Sequence, residues 1–416
     1  MVELDQVRAI AHALLGPELP IRIQLPDDSA IGPSDAKATL VLRSDNALKH
    51  IVRSPGELGI ARAYVSGAMD IEGDIWHFVD LQDRLPQVGL SPRDVAKLLR
   101  FLGPEAIMKP PPIPPEEMAI GRPLRRHSRG ADAAAISHHY DVGNDFYRLV
   151  LGPSWTYSCA VFESSADSLE QAQSNKYELI AQKLGLAPGM RLLDVGCGWG
   201  GMVLHAALNR GVDAVGITLS KEQARIATER VAAAGMSDRV EIRVQDYRDL
   251  KDGPFDAISS IGMFEHVGAE HLRTYFQLLY GLLTPGGRLL NHQIGRRPAD
   301  RTAVHRRGFV HRYVFPNGEL HEIGDLVSGI QRSGFEVRHV ESLREHYALT
   351  LRHWVNNLDA NWSKAVELVG EGRARVWRLY MAGSSSQFRK GSIEIHQVLA
   401  TKSVDGVSAM PWRPDW

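Results

Sequence analysis

A chain of 416 residues, 44% hydrophobic and 23% charged, is long enough to bury one large core and a smaller one, which predicts two domains. A formal net charge of -1 provides no global attraction to nucleic acid, so any anionic partner has to be met by a local patch. Two cysteines, Cys159 and Cys197, exclude a disulfide framework, suit a reducing cytoplasm and give no zinc-ligand spacing, so no metal site is expected. The first residues lack the basic region and long apolar run of a signal peptide. No window approaches the roughly 20 uninterrupted apolar residues of a membrane span, and a lipid substrate would have to be reached from the side of the bilayer.

Residues 5–15 carry apolar positions at helical spacing, and IRIQL (21–25) and TLVLR (39–43) read as strands. The segment SPGELGIARAYVSGAMDIEGD (54–74) reads as helix, turn and return strand, so that residues 1–108 form a small mixed α/β domain. Six prolines between Lys109 and Gly130 stop any regular element, and 109–130 is expected to be a linker. It holds Arg122, Arg125, Arg126, His127 and Arg129, which read either as a solvated basic run or as a contact for anionic headgroups.

Within 131–416, strands and helices alternate: 191–195, a helix to Asn209, 213–217, a helix over 220–234, 240–244, 255–261, a helix over 269–283, and 287–294. That order predicts right-handed crossovers and a Rossmann-like, mostly parallel α/β sheet. Strands at 335–340 and 393–400, separated by a helical insertion over about 348–382, are expected to add an antiparallel edge. Leu349, Leu351, Trp354, Leu358 and Trp362 of that insertion fit either an acyl-channel wall or plain core.

The first of these strands runs into Asp194-Val195-Gly196-Cys197-Gly198-Trp199-Gly200-Gly201, a glycine loop that lets a ligand approach the backbone. Nicotinamide, flavin and adenosylmethionine proteins all use such a loop. Two details favour S-adenosyl-L-methionine: Asp194 can attract its ammonium, and GCGWGG lacks the spacing used for a pyrophosphate. Gly196 and Gly198 are the close-approach positions. After the second strand, Thr218, Ser220 and Gln223 stand where a ribose is bound, Ser220 serving equally well as a helix cap. After the third, Asp246 can accept from the adenine amino group and Tyr247 can stack on the ring, unless they form a solvated turn.

Nine segments in one order, the 54–74 segment together with HHYDVGNDFYRLVLGPSWTYSCAVF (138–162), LEQAQSNKYELI (169–180), LLDVGCGWGG (192–201), GITLSKEQ (216–223), QDYRDL (245–250), SIGMFEHVG (260–268), RYVFPNGEL (312–320) and HYALTLRHW (346–354), resemble the cyclopropane fatty acid synthase family across nearly the whole chain. The resemblance implies a class I methyltransferase sheet and transfer of the adenosylmethionine methyl to the double bond of an unsaturated acyl chain in phospholipid. It implies a bound bicarbonate as base, held at Cys159 through its backbone, Glu265, His292, a backbone group of Ile294, and Tyr347. By the same resemblance Tyr157 and Ser158, and more weakly His139, close over the cofactor. A phospholipid-modifying member carries an extra N-terminal domain, which 1–108 supplies and through which a homodimer is implied.

Glu265 also fits a helix-terminal charge, His292 a core histidine, Tyr347 a packing aromatic and Cys159 a small buried hydrophobe. A methylene product, needing a separate reductase to reach a methyl branch, shares cofactor, substrate and first step with cyclopropane formation. An oxygen or nitrogen methyltransferase of a small molecule and a non-catalytic lipid-binding protein are the other readings. Arg296, Arg297, Arg301, Arg306, Arg307 and Arg312 make a second basic patch, read as a solvated loop or as a headgroup contact at the cytoplasmic membrane face.

Overall fold

The computed structural model describes residues 4–54, 56–81, 96, 109–118, 142–298, 308–316 and 318–416. Arg122, Arg125, Arg126, His127, Arg129, His139, Arg301, Arg306 and Arg307 lie outside the described residues. The chain divides into two compact units, one of Met1–Gly121, His305–Pro316 and Leu358–Ser386, the other of Arg122–Val304, Asn317–Asn357 and Gln387–Trp416.

The N-terminal part of the first unit runs through helix α1 (Leu4–Leu15), strands β1 (Arg22–Gln24), β2 (Ala30–Ile31) and β3 (Ala38–Leu42), helices α2 (Asn46–Arg53) and α3 (Glu57–Val65), strand β4 (Met69–Gly73) and helix α4 (Ile75–Asp80). A four-stranded sheet in the order β2-β1-β3-β4 results, with β1 parallel to β3. The helix, turn and return strand expected over 54–74 are α3 and β4. Helix α2 has no counterpart in the sequence reading.

Later in the chain come α5 (Asn144–Leu151), α6 (Leu169–Leu184), β5 (Arg191–Val195), α7 (Gly201–Arg210), β6 (Asp213–Thr218), α8 (Lys221–Ala233), β7 (Val240–Val244), β8 (Phe255–Ile261), α9 (Leu272–Leu282) and β9 (Leu283–Arg296). They are followed by α10 (Phe309–Tyr313), α11 (Ile323–Arg332), β10 (Glu336–Ser342), α12 (Arg344–Ala360), α13 (Trp362–Val369), α14 (Glu371–Lys390) and β11 (Ile393–Thr401). Strands β5, β7 and β8 keep the expected bounds, whereas α5, α10 and α11 have no counterpart in the sequence reading.

The seven-stranded sheet of the second unit has the order β10-β11-β9-β8-β5-β6-β7. Strand β11 is antiparallel to both its neighbours, so the antiparallel strand lies one place inside the edge and β10 forms the edge itself. The antiparallel edge hairpin expected of 335–340 and 393–400 is thus present as β10 and β11, with β11 its inner strand. The reason is visible in the residues: β11 is buried along its length and needs a partner on each side, whereas β10 alternates polar and half-buried positions.

Alternate residues of the central strands feed two cores. Leu193, Ile258 and Leu289 face Tyr275, Phe276 and Leu279 of α9 and Leu326 and Ile330 of α11, while Leu192, Ala257 and Leu290 face Ile180 and Leu184 of α6 and Val203 of α7. Because β5 pairs with β6 on one side and β8 on the other, the strand order reverses at β5 and opens a crevice at its carboxyl end.

The first unit is tied internally by buried charge pairs between distant parts of the chain. Glu117, with 1% of its side chain exposed, accepts two bonds of 2.7 Å from Arg62, one of 2.7 Å from Arg312 and one of 3.0 Å from Tyr313. Arg375 of α14 pairs with Asp70 of β4 at 3.0 Å and donates to the carbonyls of Tyr64 and Met69.

Candidate active site

The crevice at the end of β5 is lined by the glycine loop, by Trp155, Thr156, Tyr157 and Ser158, by Lys176 and Tyr177 of α6, and by Thr218, Gln223, Gln245 and Tyr247 from the ends of β6 and β7. Gly196, Gly198 and Gly200 have φ of 82°, 55° and 81°, a left-handed path that side chains disfavour. Gly201, at the start of α7, is excluded from change by crowding: an added Cβ would sit 2.0 Å from the Tyr177 hydroxyl. That hydroxyl is anchored by Thr156 Oγ1 at 2.8 Å. Gly201→Ala is expected to lower stability by about 1–3 kcal/mol, checked by denaturant unfolding, and to weaken cofactor binding with it.

Asp194 is buried, and Ser259 Oγ donates to its Oδ1 at 2.7 Å. Burial raises its pKa to about 6, against the opposing pull of the Ser259 bond and of the Lys176 charge. Thr218 and Gln223 line the crevice and bond one another at 3.0 Å. Ser220 is a helix cap, accepting from the Gln223 backbone N–H at 3.3 Å, which settles its role in favour of the local reading.

Tyr247 lines the crevice, its ring edge-on to Tyr275 at 4.9 Å. Asp246 does not: its carboxylate accepts from Arg248 Nε at 2.8 Å and caps the short turn Tyr247–Asp249. Gln245, just before it, lines the crevice and donates its amide to the Asp249 carbonyl at 3.2 Å.

Glu265, Ile294 and His292 are brought together by the different lengths of β8 and β9. Strand β8 ends at Ile261, opposite His292, so the Ile294 N–H has no β8 partner and donates to Glu265 Oε1 at 2.8 Å. That backbone donor orients the carboxylate. The other oxygen, Glu265 Oε2, is buried with no partner in the described structure. Burial raises the Glu265 pKa to about 7, opposed by the Ile294 bond.

His292 is 1% exposed, and its Nε2 is likewise without a partner. Its tautomer follows from a chain of contacts. Lys183, paired with Glu341, donates to Gln397 Oε1 at 2.8 Å, and this fixes the Gln397 amide with its NH2 toward His292 Nδ1, 3.3 Å away. Nδ1 is thus the acceptor and Nε2 carries the proton. Burial, then the Lys176 and Lys183 charges, hold the imidazole neutral by pushing its pKa well down. Gln397→Met should lower turnover about tenfold, the size of one hydrogen bond of roughly 1.4 kcal/mol, while steady-state measurements show an unchanged constant for the methyl donor.

Tyr347 is buried against Phe388 at 4.7 Å and edge-on to Trp354 at 6.0 Å, and Trp354 in turn lies 5.3 Å from Tyr157 of the crevice. Cys159 is fully buried, its thiol donating to the carbonyls of Ala160 and Leu343 with its pKa raised by burial, so it offers no thiolate. Leu351, Trp354 and Leu358 are buried while Leu349 is exposed.

The described arginines of the second basic patch are each spent on ion pairs: Arg296 with Glu322 at 2.9 Å, Arg297 with Glu394 at 3.7 Å, Arg312 with Glu117 at 2.7 Å. Arg297 keeps about half of its side chain exposed, while Arg296 and Arg312 are largely enclosed by these pairs. No helix of the described residues is long and apolar enough to cross a membrane, and they contain no cluster fit to hold a metal.

Two buried residues of this site escaped the sequence reading, Lys176 and Gln397. Lys176 occupies the buried face of α6 with Leu169, Ala172, Ile180 and Leu184, where an apolar residue belongs. A lysine at a core position was the available signal.

Residues 127–398 match the family described as mycolic acid cyclopropane synthetase. A probable fatty acid methyltransferase of Mycobacterium tuberculosis is 46% identical over 95% of each chain. The cyclopropane-fatty-acyl-phospholipid synthase of Escherichia coli is 38% identical over 64% of this chain and 67% of its own. Among solved structures, mycolic acid cyclopropane synthase CmaA1, complexed with S-adenosylhomocysteine and a detergent, superposes with a TM-score of 0.61 at 37% identity, covering 64% of this chain and 97% of its own. With its glycine loop, its Asp194 and these relatives, the chain belongs to the cyclopropane synthase family of S-adenosylmethionine-dependent methyltransferases that act on fatty acids.

Proposed function

We propose that the protein methylates the double bond of an unsaturated acyl chain carried by a membrane phospholipid and closes it to a cyclopropane. The observation that carries this reading is the pair of partnerless buried atoms, Glu265 Oε2 and His292 Nε2. One is an acceptor and the other, by the Gln397 contact, a donor. They match the hydroxyl and an oxygen of bicarbonate, and the residues present fit that group. Bicarbonate bound there supplies a proton acceptor.

The alkene π electrons form a bond to the donor methyl as the sulfonium C–S bond breaks, which leaves S-adenosylhomocysteine and a carbocation. Tyr157, Trp354 and Tyr347 form a run of aromatic rings from the crevice inward, surfaces that attract positive charge without a nucleophile to trap it. Cys159 is kept harmless by its unionised thiol. Loss of a proton from the new methyl closes the ring.

Phospholipid is favoured because the family match begins at residue 127 and leaves the Met1–Gly121 part of the first unit outside it, while the mycolic acid enzyme is covered almost whole. A second reading keeps the same first step but gives a methylene acid, through a hydride shift and loss of the same methyl proton. It is favoured by the relatives that match over full length, which are named fatty acid methyltransferases.

The test is expression in a host rich in monounsaturated phospholipid and fed methionine with a trideuterated methyl. Mass spectrometry should show lipid-bound acids heavier by one carbon with two deuteriums retained. Proton NMR of the acids from a parallel culture fed unlabelled methionine separates the outcomes: high-field ring protons are the expected result, vinylidene protons establish the second reading, and lipid that takes up no deuterium in the labelled culture overturns both.

A further inference from the structure

We propose that Lys176 is the counter-ion for the α-carboxylate of S-adenosylmethionine, so that Lys176 and Asp194 form a two-charge clamp on the zwitterionic end of the donor. The inference rests on the assignment of the crevice to that donor. Among the lining residues Lys176 and Asp194 alone are a basic and an acidic side chain, and an amino acid brings one charge of each sign.

Lys176 is 0% exposed, and among the described residues it forms no ion pair. Its ammonium has three donors. One acceptor is in place, Ser158 Oγ at 3.0 Å, and the Tyr177 ring lies 3.8 Å away. A buried cation held only by a hydroxyl and a ring is costly, and a carboxylate entering the crevice removes that cost.

The surroundings hold the lysine in place. Gln173, one turn earlier on α6, donates to the Ser158 carbonyl at 3.0 Å, and Tyr177 is fixed by Thr156. Burial lowers the Lys176 pKa to about 7, against the opposing influence of Cys159 and Asp194. A carboxylate beside it will raise that value, so donor binding and protonation of Lys176 are coupled.

The test compares two ligands by calorimetry: S-adenosylhomocysteine and S-adenosyl-3-thiopropylamine, which keeps the amine and lacks the carboxylate. The parent protein should prefer the first by roughly 10- to 100-fold, the scale of a charge-assisted hydrogen bond. In Lys176→Met, and in the near-isosteric Lys176→Gln, that preference should collapse to about unity with the amine bound as before. Equal weakening toward both ligands, or an undiminished preference, overturns the proposal. If neither variant folds, the parent decides: at pH 8, titrations in buffers of different ionisation heat should show more proton uptake with S-adenosylhomocysteine than with the amine. Equal uptake overturns it.

Discussion

Glu265→Gln should cut formation of the modified acid by about a thousandfold while S-adenosylhomocysteine binds as before. General-base machinery contributes roughly 10²–10⁴ in rate. The substitution is nearly isosteric and keeps the Oε1 acceptor for the Ile294 N–H, so the fold is retained. What it removes is the acceptor at Oε2, which becomes a donor where the buried carboxylate oxygen had none of its bonding capacity filled. A loss below threefold, measured on vesicles of monounsaturated phospholipid, would reject a role for Glu265 in the chemistry.

The same change carries a stability signature of fixed sign. The folded-state pKa of Glu265, about 7, lies above its ordinary value of 4.5. Its contribution is therefore intact below about 4.5 and is lost as pH rises through about 7. Glu265→Gln should melt above the parent at pH 8 and match it at pH 4. Activity of the parent should rise over the same interval, as the carboxylate ionises. A residue that weakens the fold where it works is the pattern of a site under functional constraint.

Asp194→Asn should weaken S-adenosylhomocysteine about 100-fold, and the carboxylate-free amine by a similar factor, because both ligands keep the ammonium that Asp194 faces. That common loss distinguishes it from the Lys176 variants, which affect one ligand alone. In the parent, affinity should fall as pH drops through about 6, where the buried carboxylate takes up its proton. Calorimetry from pH 5 to pH 8 checks this, and a flat profile would show that the carboxylate does not meet the ammonium.

The sheet was legible because its strands are short apolar runs set between helices of ordinary length, and β5 to β8 fall where the periodicity puts them. Asp194, Gly196, Gly198 and Tyr247 line the crevice, and the sequence pointed to them because they lie at or just beyond the carboxyl ends of β5 and β7. Three things were not. The antiparallel pair β10 and β11 was legible as an edge hairpin, but which of the two lies against β9 depends on burial along both faces, which a one-dimensional pattern does not express. The Asp246 side chain pairs with Arg248, two residues on, a local contact that spacing alone does not reveal. Gln397 reaches His292 from 105 positions away, and only strand register brings them together.

The first unit is discontinuous: Glu117 is completed by Arg312 and Tyr313, and Asp70 by Arg375. During synthesis, then, the N-terminal residues emerge from the ribosome long before the late partners that complete their ion pairs. Two acidic side chains must wait, hydrated, through most of translation, and the unit matures only after nearly the whole chain has been made. Order of synthesis and order of folding run against each other here, so the N-terminal segment released by an early stop, lacking its late partners, should be a substrate for quality control rather than a working fragment.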